Sequence, residues 1–150
     1  MLAVGGSIWG VSGQDHTKRD TAGSIVTAGQ LGVFVTHLGD CFESLPGNSG
    51  VVSTVEAVPC ISPHHWQVVY KGSVSDPNYD DQTLNAESRA VCTDQTTSLS
   101  KKMDQAILNE YSTAIVGHLW PSVESWAKGD RAVTCLIGSN TASYSDSLLQ

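Results

Sequence analysis

The chain has 150 residues, a net charge of −7, 40% hydrophobic residues and only 15% charged ones. This is long enough for one domain with a real core. There is no basic run beyond Lys18-Arg19 and Lys101-Lys102, which excludes nucleic acid as the main partner, because phosphate backbones are held by clustered cations.

Charged residues fall below the usual quarter, so Ser, Thr, Asn and Gln must supply the polar surface, as is common in exported domains. Met1 to Val11 is apolar with glycines. A membrane span needs about 20 apolar residues, and no basic n-region of a signal peptide precedes it. Residues 1–11 read either as the tail of a transmembrane helix, with Trp9 near the interface, or as a disordered start; the first reading is preferred. Residues 12–29 are polar and punctuated by glycine, and read as a linker. The domain proper is expected over 30–150.

Leu31 to His37 is the first strand candidate, rich in β-branched residues. Pro46 to Gly50 is a loop of turn residues. Val51 to Cys60 alternates like a strand, and the segment from His64 to Val74 is the most strand-like of all. In it Trp66, Val68 and Tyr70 share one side, and His65, Gln67, Val69 and Lys71 the other. Thr83 to Leu99 is the best helix, with Cys92 on the same face as Ser88 and Leu84 or Asn85. Lys101 to Ile115 reads as a second helix or an irregular segment, and Gly117 to Trp120 as a turn. Pro121 suits the start of a helical turn and Gly129 its left-handed end. Ala132 to Ile137 is then a buried strand. Strands, then helices, then a return strand predict an α+β fold: a small antiparallel sheet with helices on one face.

The four cysteines, Cys41, Cys60, Cys92 and Cys135, form no C-x-x-C pair, so two disulfides suit them better than zinc. Three connectivities are open. Cys41 and Cys60 flank a hairpin-like excursion, which favours Cys41–Cys60 with Cys92–Cys135. The competing reading is four buried thiols in a cytosolic protein.

Several motifs occur together: Gly39-Asp40-Cys41-Phe42; Pro59-Cys60 with Pro63-His64; and Ser125-Trp126-x-x-Gly129-Asp130-Arg131-x-Val133-x-Cys135-Leu136. In this order they resemble the septum formation domain of actinobacterial membrane-anchored proteins, over about residues 17–149. The resemblance implies an extracytoplasmic domain tethered by an upstream transmembrane helix, with disulfide-forming cysteines and a role in cell division or the envelope. It supplies no catalytic residues. The chain departs from the pattern at His65 to Val68, where the family has an acidic residue followed by Glu-Val, and at Asp146, where glycine is usual.

Gly47-Asn48-Ser49-Gly50 resembles a serine-protease nucleophile loop. Its base and acid would have to come from His16 or His37 and Asp20 or Asp40, with too little chain before Ser49 for a first barrel. His64 and His65, with Asp40 or His118, are candidate metal ligands, but neighbours on a strand point to opposite faces. His64 is expected to be structural and no metal or other cofactor is expected. Asp130-Arg131 offers a bidentate anchor or a local ion pair. Trp66 and Trp120 are candidates for a binding face, and Trp126 for the core. The resulting expectation is a non-enzymatic domain that binds an envelope or division protein outside the membrane. The alternatives are a sensor for a cell-wall fragment or small molecule and, remotely, a hydrolase. A well-formed apolar pocket favours the sensor, an exposed apolar patch the protein binder.

Overall fold

The computed structural model describes residues 2–4, 15–45, 51–52 and 54–149. The strands are β1 (Leu2–Val4), β2 (Lys18–Arg19), β3 (Ile25–Thr27), β4 (Gly29–Gly32), β5 (Cys41–Phe42), β6 (Val51–Val52), β7 (Thr54–Val58), β8 (Trp66–Ser73), β9 (Ile115–Pro121) and β10 (Ala132–Gly138). Helices α1 (Asp81–Ser100) and α2 (Gln105–Glu110) lie between β8 and β9, and α3 (Val123–Ala127) between β9 and β10. The fold is α+β, with both expected disulfides formed.

The main sheet runs β4-β7-β5-β8-β10-β9-β1-β6 among the described residues. It is larger than expected and mixed, because β1 pairs parallel with both β9 and β6. Val52 ends the last strand in this order and Thr54 begins the second. Two peptide steps span at most about 7 Å, so the sheet must curl until its ends meet.

Side-chain alternation along the strands then fills two faces. Inside the curl Leu31, Phe42, Val52, Val55, Trp66, Val68, Leu119 and Leu136 form one cluster. On the other face Val69, Cys92, Tyr111, Val133, Cys135, Tyr144 and Leu148 form a second. Between the pairs Val68–Leu136 and Tyr70–Cys135 the extra residue Val69 has no partner. This bulge breaks the expected alternation of β8, so Val69 and Tyr70 both join the second cluster.

Helix α1 lies across β9 and β10. Its buried stripe is Leu84, Ser88, Cys92 and Thr96, one every turn, as the sequence spacing predicts. Small polar residues in that stripe give little apolar area, so the Cys92–Cys135 bond to β10 supplies much of the attachment. The closing stretch has the expected helical turn, glycine stop and strand, but Pro121 ends β9 and Ser122, not Pro121, opens the turn. Ser122 Oγ accepts the Ser125 N–H at 3.1 Å and Ser125 Oγ accepts the Ser122 N–H at 3.0 Å, a reciprocal cap. Gly129 has φ 97°, a conformation only glycine adopts at no cost.

Further sequence readings differ from the structure. Leu31 to His37 is not one strand, because β4 ends at Gly32 and Val33–Val35 forms a single 3-10 turn. Gly117 to Trp120 is strand, not turn, because Gly117 passes under the Trp66 ring. A Cβ there would lie 3.1 Å from that ring. Residues 15–29 are not a linker: β2 and β3 form a hairpin whose Ile25 joins the core. Leu2–Val4 is strand rather than helix or disordered chain; the rest of Met1 to Val11 lies outside the described residues.

Candidate functional site

A groove of about 790 Å³ runs beside the Cys41–Cys60 disulfide. One wall is the β2–β3 hairpin with Ile25 and Val26, the opposite wall is Val58 to Ser62, and the floor is Leu38 to Cys41. Ser147 and Leu149 close one end. Three large apolar side chains lie open here: Val26, Leu38 and Ile61 are 54%, 61% and 84% exposed. They are distant in sequence, and no local pattern announces them as one surface.

Two of the family motifs contribute to the groove, through Gly39 to Cys41 and through Pro59-Cys60. Gly39 turns the chain with φ 92°. Its carbonyl accepts from Gln67 Nε2 at 3.1 Å and lies 3.2 Å from Cys60 Sγ. Gln67 is fully buried. Its Nε2 also donates to Ser147 Oγ at 2.8 Å, and its Oε1 accepts the Leu148 N–H at 2.7 Å. One side chain thus fastens the C-terminal segment to the floor.

Asp40, within the floor, accepts from Arg19 through both oxygens, at 2.7 and 2.8 Å, and from the His37 N–H at 2.8 Å. Lys71 donates to the Thr36 carbonyl and hydroxyl at 2.8 and 2.9 Å. Burial lowers its pKa, against the opposing pull of Asp40 and Asp130.

The remaining sequence candidates have structural settings. His64 is 1% exposed, its Nδ1 lies 2.9 Å from the Ser62 carbonyl, and its backbone bridges to Tyr144. His65 Nδ1 instead meets the Ala142 carbonyl at 2.6 Å. Among the described residues no three His, Cys, Asp or Glu side chains converge. Trp66 and Trp120 are both buried, and Trp120 Nε1 donates to Asp81 at 2.9 Å. Trp126, expected in the core, is only half-buried, between Tyr79 and the Arg131 guanidinium, which lies 3.4 Å over its ring. Arg131 also donates to the carbonyls of Trp126 and Asp130 at 3.0 and 2.7 Å, and Asp130 Oδ1 caps the Ala132 N–H at 2.9 Å. Burial raises the Asp130 pKa, against that bond and nearby cations. His118 Nε2 donates to Asn85 Oδ1 at 2.7 Å, and burial pulls its pKa down to about 4.

Gly47 to Gly50, with Ser49, lies outside the described residues. A second pocket of about 590 Å³ is lined in part by Glu43, Ser44, His65, Ser139 and Asn140; there His65 Nδ1 is engaged by the Ala142 carbonyl, and Ser139 Oγ accepts the N–H groups of Thr141 and Ala142.

No curated protein and no solved structure matches the chain. A family model described as septum formation matches residues 10–135, a span containing both groove walls and all the motif cysteines. The chain therefore belongs to the septum formation family.

Proposed function

We propose that this chain is a non-enzymatic, extracytoplasmic binding domain of a membrane-anchored actinobacterial envelope protein that acts in cell division, and that the groove beside Cys41–Cys60 binds a protein partner. The observation that carries this reading is the exposure of Val26, Leu38 and Ile61 along one groove. Leaving large apolar side chains together in water is unfavourable unless a partner covers them. Two disulfides support an oxidising compartment, and family membership supports the link to division.

The second reading is a sensor for a cell-wall fragment or small molecule. It draws on the groove's volume, within the range of ligand pockets. The test is a photo-crosslinking residue at Leu38 in the host cell, with and without Ile61→Asp, alongside microscopy of septa. The expected result is a discrete crosslinked protein, lost with Ile61→Asp together with normal septum placement. Unchanged crosslinking and normal septa in that variant would overturn the proposal.

A further inference from the structure

We infer that the groove takes an extended, apolar protein segment flanked by lysine or arginine, laid against the free edge of β3. This rests on the groove being the binding face. Among the described residues β3 pairs only with β2. Among the described residues the backbone of Ile25 to Thr27 makes no hydrogen bond beyond that pairing, and Ser24 to Val26 form part of the groove wall. An unpaired edge beside apolar pockets is what an added strand recognises: backbone hydrogen bonds hold it, and alternate side chains enter the groove.

Charge selects the flanks. The groove lining contains Asp20 and Asp40 and neither Lys nor Arg. Asp40 is answered by Arg19. Asp20 is different. Its Oδ1 accepts the N–H groups of Ala22 and Ser24, both at 2.9 Å, which fixes the carboxylate on the rim. Among the described residues no cation pairs with it. The chain's net charge of −7 adds a long-range preference for a cationic partner.

The experiment uses the oxidised full chain and two short fluorescent peptides of alternating valine and threonine, one ending in lysines and the other in glutamates. Fluorescence anisotropy at low and high salt gives the affinities. The lysine peptide is expected to bind about two- to fivefold more tightly at low salt, the range of one exposed ion pair. That preference shrinks with salt and with Asp20→Asn. Ile61→Asp, at a site 84% exposed, should abolish binding of both peptides while leaving the melting temperature near that of the parent.

Equal affinity for the two peptides, or a preference for glutamate, overturns the charge selection yet leaves the groove as a binding face. Failure of the folded chain to bind either peptide overturns the inference outright. So does binding of anionic phospholipid vesicles in their place, which makes the occupant a lipid surface. The reading of the groove as the partner face fails separately, through the crosslinking result with Ile61→Asp.

Discussion

Arg19 and Asp40 form a two-pronged ion pair across 21 residues of sequence, with Nη1–Oδ1 at 2.7 Å and Nη2–Oδ2 at 2.8 Å. The side chains are 14% and 4% exposed. Arg19 Nη1 also donates to the Gly23 carbonyl at 2.8 Å. The pair therefore joins the turn of the β2–β3 hairpin to the groove floor.

Removing one partner strands the other charge in a poorly solvated site. Asp40→Ala should destabilise the chain by about 3 kcal/mol, and the double variant Arg19→Met, Asp40→Leu by much less. Urea unfolding of the single and double variants checks this. A cost for Asp40→Ala below about 1 kcal/mol would show that the pair behaves as a surface bridge.

The two disulfides should differ in both contribution and access. Cys41–Cys60 closes 19 residues and Cys92–Cys135 closes 43. In the loop-entropy model they contribute about 3 and about 4 kcal/mol. Cys92 and Cys135 are fully buried, whereas Cys60 is partly exposed on the groove wall. A mild reductant should open Cys41–Cys60 first in the folded chain, seen as alkylation of Cys41 and Cys60 by peptide mapping. Simultaneous labelling of all four cysteines would count against this order.

His118 sets an acid limit on stability. It is 1% exposed, with a pKa of about 4 against about 6.5 in the unfolded chain. The unfolded chain binds the proton more readily, so the stabilisation is complete above pH 6.5 and is lost as pH falls toward 4. Between pH 8 and pH 5 this group should remove about 1–2 kcal/mol. His118→Gln should flatten that part of the profile, measured as urea midpoints at the two pH values. An unchanged slope would mean that other groups govern it.

Gly138→Ala should be among the worst small substitutions. A Cβ there would run into the His65 carbonyl oxygen, with the Trp66 ring 2.7 Å away. The cost should reach about 3 kcal/mol, the upper end for forced overpacking, measured by thermal or urea unfolding. Gly23→Ala, where φ is 89° but the space is open, should cost only about 1 kcal/mol.

The sequence is legible where the structure is local. The Ser88–Cys92 face of α1, the Gly129 stop and the β10 run all follow from spacing or from a single residue's backbone preference. The disulfide pairing followed from the excursion between Cys41 and Cys60. What failed depended on distant partners. Residues 15–29 look like linker because the partner of Arg19 lies 21 positions away. Gly117 looks like a turn because the ring that requires a glycine belongs to Trp66. The groove is not legible in the sequence because Val26, Leu38 and Ile61 come from three separate segments that only the fold brings to one surface. Asp130-Arg131 stands out in the sequence, but the tie of Arg131 to Trp126 depends on the turn between them.

The insertion of β1 between β9 and β6 has a consequence for biogenesis. Leu2 pairs with Leu119, so β1 leaves the ribosome long before its partner and must wait for it. The sheet cannot close during early synthesis. Until then two strand borders stay open to other chains, a period in which aggregation competes with folding. Trimming Leu2 to Val4 would make that condition permanent.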